Sequence, residues 1–207
     1  MIAIIDYNMG NVGSIMNMLR KIGVQSVITS DISQISNASK LILPGVGSFD
    51  NGMTNISQMG LLDVLNDMVL NRKVPILGIC LGMQLITRRS EEGKSTGLGW
   101  IEADTIRFKF DQSPDNIKIP HMGWNVVRPC HGKTLFSSLE NIEETAFYFI
   151  HSYHVVCDNE TDILATTTHG YEFTCALERD NILATQFHPE KSHRYGMQLL
   201  KNFVEMF

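Results

Sequence analysis

An alternation of short apolar runs and helix-spaced stretches most constrains this fold. Ile2 to Ile5 is a continuous apolar run closed by Asp6, the pattern of a parallel strand buried on both faces. After a turn containing Gly10, Val12, Ile15, Met16, Leu19 and Ile22 recur at helical spacing, and Gly23 ends that helix. Ser26 to Thr29 is a second short strand, and 31–40 reads as a short helix or loop. Leu41-Ile42-Leu43 is a third strand that runs into Pro44-Gly45-Val46-Gly47. Leu61, Leu62, Leu65, Met68 and Val69 mark another helix, and Ile76 to Ile79 is a fourth strand. Strand and helix in alternation specify an α/β fold with a doubly wound, mostly parallel sheet.

The second half changes character. Strand-like segments at 101–110, 124–127, 146–150, 153–157, 163–167, 173–177 and 182–187 follow at short intervals. They predict antiparallel strands added to the parallel core. Gly196, Leu199, Leu200, Phe203, Val204 and Phe207 form one face of a closing helix. With no low-complexity linker or repeat, residues 1–207 read as a single domain.

Composition removes several functions. The net charge is −5 and no lysine- or arginine-rich run is present, which argues against a nucleic-acid partner. No apolar run approaches membrane-spanning length. The start, Met1-Ile2-Ala3-Ile4-Ile5-Asp6, lacks the basic region of a signal peptide. Cys80, Cys130, Cys157 and Cys175 are widely spaced, so neither a zinc site nor a disulfide framework is expected. These features fit a reducing cytoplasm, and no metal or cofactor is expected.

In parallel sheets of this kind, sites form beyond the carboxyl ends of the strands. Asp6-Tyr7-Asn8, the 44–47 turn and Cys80 all fall there. Cys80 stands in Gly78-Ile79-Cys80-Leu81-Gly82, a G-x-nucleophile-x-G elbow with Cys in place of Ser. A sharp strand-to-helix turn brings backbones together, which gives both glycines a steric reason. It also sets a thiol among free N–H groups at a helix start, where negative charge is favoured. A buried structural cysteine would satisfy this stretch equally well.

A thiol that attacks an amide needs a base, an orienting group and oxyanion donors. Thr185-Gln186-Phe187-His188-Pro189-Glu190 supplies the best base among the seven histidines, because His188 stands at a strand end with a carboxylate two residues on. His131 and His169, beside glycines, read as solvated loop residues, and His193 as a surface residue at the start of the last helix. The glycine-rich 44–47 turn offers backbone N–H groups, which with that of Leu81 would make an oxyanion hole. A phosphate loop would need a Lys-Ser/Thr and a helix opening after the glycines, and Ser48-Phe49-Asp50-Asn51 reads as neither.

Gly78-Ile79-Cys80-Leu81-Gly82-Met83-Gln84 together with Phe187-His188-Pro189-Glu190 resembles the class I (triad) glutamine amidotransferases. Along nearly its whole length the chain is similar to the glutaminase subunits of imidazole glycerol phosphate synthases. The carrying pieces include Leu43-Pro44-Gly45-Val46-Gly47, Ser90-Glu91-Glu92-Gly93, Pro120-His121-Met122-Gly123-Trp124-Asn125 and His151-Ser152-Tyr153. The family usually has glycine where Asn8 stands, and Asn tolerates a left-handed backbone better than most residues.

The resemblance implies a flavodoxin-like fold. It implies Cys80 as nucleophile, His188 as base and then acid, and Glu190 as the orienting group. It implies oxyanion donors at Val46, Gly47 and Leu81, and glutamine held by Gln84, Glu92, Ser152 and Tyr153. A segment facing a partner would be His121, Met122, Gly123, Trp124 and Asn125; a core turn with Trp124 buried would explain the same residues. The partner implied is a (β/α)₈-barrel cyclase that receives ammonia through a channel. In this family the oxyanion turn is often unfavourably set until the partner binds its ligand. Close relatives of the subunit serve an amidotransferase for surface sugars, so that acceptor stays open at this point, as does a silent scaffold subunit.

Overall fold

The computed structural model describes residues 1–110, 117–130, 134–139 and 145–207. His131 lies outside them. In the first half, strands β1 (Ile2–Ile5), β2 (Ser26–Thr29), β3 (Lys40–Leu43) and β4 (Ile76–Ile79) alternate with helices. Those helices are α1 (Val12–Ile22), α2 (Ile32–Ser36), α3 (Phe49–Gln58), α4 (Leu62–Asn66) and α5 (Leu81–Leu85). Past α4 the backbone widens into a π-helical turn at Asp67–Asn71.

The second half adds β5 (Ala103–Arg107), β6 (His121–Val126), β7 (Arg128–Pro129), β8 (Ala146–His151) and β9 (Tyr153–Cys157). Then come β10 (Ile163–His169), β11 (Tyr171–Arg179), β12 (Ile182–Thr185) and the last helix, α6 (His193–Met206).

Among the described residues, the main sheet runs β2-β1-β3-β4-β12-β11-β10-β7, with β9 on β11 and β5 on β9. β2, β1, β3, β4 and β12 are parallel neighbours. β11, β10, β9, β7 and β5 join antiparallel. β6 and β8 form a separate antiparallel ribbon.

Alternation of side chains across the parallel strands builds two cores. Ile2, Ile4, Ile42 and Leu77 face one side, against Ile15 and Leu19 of α1 and Leu199, Leu200 and Phe203 of α6. Ala3, Ile5, Leu41, Leu43 and Ile76 face the other, against Phe49, Ile56, Leu65 and Leu85. That two-sided covering is why these strands are apolar throughout rather than alternating. The Asn11 side chain caps α1 by accepting from the Ser14 N–H, and Gly23 closes it in a left-handed conformation (φ 84°).

One expectation fails here. A helix does open after the 44–47 turn, at Phe49, with Ser48 at its cap position. The lysine required of a phosphate loop is still missing from this stretch.

The strand order positions the site. β12 returns parallel to β4 with Thr185 opposite Ile79. Their carboxyl ends therefore coincide, and the segments carrying Cys80 and His188 leave the sheet side by side.

Candidate active site

Cys80 caps α5 with φ 53° and ψ −104°. This left-handed conformation costs a non-glycine residue about 1–3 kcal/mol and persists only where the surroundings enforce it. Here they do. The Cys80 N–H donates to the Thr185 carbonyl of β12 at 2.7 Å. A β-carbon on Gly82 would fall on the Leu43 carbonyl oxygen, and one on Gly78 would sit 3.0 Å from the Gly82 backbone. The elbow read from the sequence is thus the observed backbone, with both glycines at close approaches.

His188 and Glu190 lie beyond β12. The His188 N–H donates to the Tyr148 carbonyl, and its own carbonyl accepts from the Ser192 hydroxyl. Pro189 begins a 3₁₀ turn, Pro189–Lys191, that brings Glu190 back toward the ring. His188 Nδ1 and Glu190 Oε1 are 2.7 Å apart, and both side chains are only 2% exposed. A proton on Nδ1 serves the carboxylate and leaves Nε2 to face other groups. Nε2 faces the Cys80 side chain, which reaches the ring through a bond looser than an ordinary hydrogen bond and through its charge. Burial alone would push the imidazole down; the side chains of Cys80 and Glu190 outweigh it and raise the ring to about 9.

Cys80 and His188 open into a cavity of about 290 Å³ lined also by Val46, Gly47, Leu81, Gln84, Glu92, Ser152 and Tyr153. The volume is at the small end for ligand sites. Every expected oxyanion and glutamine-binding residue therefore reaches one cavity. Two carry additional contacts. Glu92 Oε2 accepts from the Phe49 N–H at 2.8 Å, so it also anchors the start of α3. The Leu81 N–H is turned to the Gly45 carbonyl at 3.4 Å, a long bond that engages a donor expected to be free.

The Glutamine amidotransferase class-I family matches residues 3–206. The chain belongs to this family. It is 56% identical to "Imidazole glycerol phosphate synthase subunit HisH 2" of Methanococcus maripaludis over 205 residues, covering 99% of each chain. It is 47% identical to the subunit of the same name from Pseudomonas aeruginosa, covering 100% of both. A solved glutamine amidotransferase shares the fold at TM-score 0.75 and 17% identity, over 98% of this chain and 97% of that one.

Further features of the site become visible with the fold. Asn8 has φ 63°, the left-handed conformation anticipated for it. Tyr7 is fully buried and donates from its hydroxyl to the Pro44 carbonyl, which ties the β1 end to the 44–47 turn. Pro120, Ile150 and His151 also line the cavity, and sequence reasoning had given them no such role.

The 121–125 segment is strand β6, and its residues alternate. Met122 (64%) and Trp124 (48%) are exposed, while His121 is buried. Trp124 is therefore no core residue. His169 is likewise no solvated loop residue: it ends β10 and stacks on His121 with ring centres 4.2 Å apart. His193 is exposed at the first position of α6. Burial, with a smaller contribution from His169, pushes His121 down to about 4, and burial holds His151 well below its ordinary value.

Proposed function

We propose that this chain is the glutaminase subunit of an imidazole glycerol phosphate synthase, its 207 residues acting as one cytoplasmic amidotransferase domain. The observation that carries the reading is the buried His188–Glu190 pair beside Cys80 on the cavity floor. The highly similar subunits of Methanococcus and Pseudomonas support the pathway.

In this mechanism the Cys80 proton rests on His188 Nε2 before attack, as the raised imidazole favours, and the thiolate sulfur then attacks the side-chain amide carbon of glutamine. Glu190 holds Nδ1–H and stabilises the imidazolium. Backbone N–H groups of Gly47 and Leu81 meet the oxyanion. His188 then protonates the departing amine, ammonia leaves, and a thioester remains. Water, deprotonated by His188, attacks the thioester and releases glutamate and the thiol. Glu92 meets the substrate ammonium, and Gln84, Ser152 and Tyr153 fix the rest.

The Leu81 N–H must leave the Gly45 carbonyl before it can serve an oxyanion. Reorientation of the Val46–Gly47 peptide is the step that a partner would control.

Ammonia passes to a (β/α)₈-barrel cyclase, where it yields imidazole glycerol phosphate and an aminoimidazole carboxamide ribonucleotide. The docking surface is the β6–β8 ribbon. Met122 pairs with Ile150 and Trp124 with Tyr148, and exposed Ile150 continues that patch to the cavity. Exposed aromatic and methionine side chains suit an interface core.

The test is glutamate release from glutamine, first by the chain alone and then with the cyclase and its nucleotide ligand. Strong stimulation by both, lost in Cys80→Ala, is expected. Glutaminase that ignores the cyclase would move the acceptor elsewhere, surface-sugar amidation included. Activity that survives Cys80→Ala would overturn the mechanism.

A further inference from the structure

Gln186 lies between the two motifs and belongs to neither assigned set. It is fully buried, yet it does not line the substrate cavity. A buried amide must be hydrogen-bonded, so its partners show what it is for. The register that sets Thr185 opposite Ile79 makes residue 186 the next neighbour of Cys80. Gln186 Nε2 is 3.6 Å from the Cys80 sulfur.

The orientation of that amide follows from its neighbours. The Tyr153 carbonyl can only accept. It is 2.7 Å from His151 Nδ1 and 3.3 Å from Gln84 Nε2, so both nitrogens donate to it. The second N–H of Gln84 donates to Gln186 Oε1 at 3.1 Å. Gln186 therefore has its oxygen engaged and its NH₂ turned to sulfur.

On the other side, His151 Nε2 must accept, so His121 Nδ1, at 3.0 Å, donates to it. His121 Nε2 in turn accepts from Asn125 Nδ2 at 3.2 Å. One chain of hydrogen bonds thus runs from the exposed β6–β8 ribbon to the nucleophile. Its polarity reverses at the Tyr153 carbonyl, so it cannot relay a proton. It is a positioning frame.

We infer that Gln186 is a further catalytic residue whose side-chain amide donates to the Cys80 sulfur and stabilises its charged form. This rests on Cys80 being the nucleophile. A thiol is a weak acceptor and a thiolate a strong one, so the bond strengthens as charge appears on sulfur. That differential is what catalysis requires. It helps twice, by populating the thiolate before attack and by stabilising it as the leaving group when the thioester is hydrolysed.

The test is the pH profile of Cys80 alkylation by iodoacetamide in the full chain, read by peptide mass spectrometry. Wild type, Gln186→Glu and Gln186→Met are compared. The glutamate variant keeps an acceptor for Gln84 but loses the donor to sulfur. The methionine variant is apolar and of similar length, and it carries the test where a buried carboxylate impairs folding. Labelling of fully buried Cys175 reports misfolding.

Gln186→Met is expected to shift the midpoint upward by about one pH unit, and Gln186→Glu by more because its carboxylate also repels the thiolate, with the high-pH rate of Gln186→Met kept within about twofold. In the cyclase complex, Gln186→Glu is expected to lower kcat about tenfold while KM for glutamine stays within about threefold. Profiles that superimpose on wild type in the folded variants would overturn the inference. Glutaminase that persists in Cys80→Ala would instead remove the nucleophile assignment on which it rests.

Discussion

Glu190→Gln changes one atom of the buried pair and preserves its shape. In the wild type the imidazole sits at about 9 rather than 6.5. At 1.36 kcal/mol per unit, that difference corresponds to about 3 kcal/mol of folding stability. The sign follows from the raised value: the contribution is fully present below pH 6.5 and is lost as pH climbs through 9. Removing the carboxylate deletes a charge-assisted bond of 2.7 Å between side chains that water barely reaches. Such a bond is worth roughly one to two pH units on the imidazole, so His188 drops toward 7–8. Burial, the largest single influence on the ring, still pulls it down. The pH-dependent part of stability then shrinks to about 1 kcal/mol.

The assay is urea unfolding of both proteins at intervals from pH 6 to 10, with His188 followed by NMR titration. Wild type should lose its advantage over the variant across that range. Glutaminase activity should fall about 10²–10⁴-fold, because a carboxamide can donate to Nδ1 and leave Nε2 protonated, the wrong tautomer for a base. A stability difference that stays constant from pH 6 to 10, or an unmoved His188 titration, would refute the reasoning.

Two other outcomes follow from the same geometry. Gly82→Ala puts a methyl group on the Leu43 carbonyl, and it should cost about 2–3 kcal/mol in chemical denaturation and abolish glutaminase. On the acid side, burial pushes His121 and His154 down to about 4 and His151 well below its ordinary value. The unfolded chain then takes up protons first, so stability present above pH 6.5 is lost as pH falls toward 4. The thermal midpoint, followed by circular dichroism, should decline over that range; a flat profile would contradict the buried neutral rings.

The parallel strands and the elbow were legible because burial on both faces leaves continuous apolar runs, and because close backbone approach leaves glycines. The His188–Glu190 pairing was legible from a two-residue spacing across a proline. Helix α3 was not. Its segment is mostly polar, and Gly52 replaces a side chain in the buried stripe, which leaves only Phe49 and Ile56 as buried apolar side chains to mark it. The reading of His169 as a solvated loop residue failed for another reason. His121 and His169 meet across different strands, and no local pattern announces that packing. The engaged Leu81 N–H depends on a contact with another loop, which sequence spacing does not encode. Gln186 was hidden in plain view, since a glutamine near a strand end carries no signal of what lies beside it.

The position of β12 also bears on how the protein is born. Its neighbour β4 lies far earlier in the chain, with Cys80 and Gln186 separated by 106 residues. On a ribosome, β4 therefore emerges with only β3 to pair with and waits as an open strand edge until β12 follows. Such an edge is a template for unwanted pairing. Cys80 waits with it, still lacking the strand that clamps its backbone and the His188–Glu190 pair proposed to serve it. Completion of the sheet thus coincides with assembly of the proposed triad.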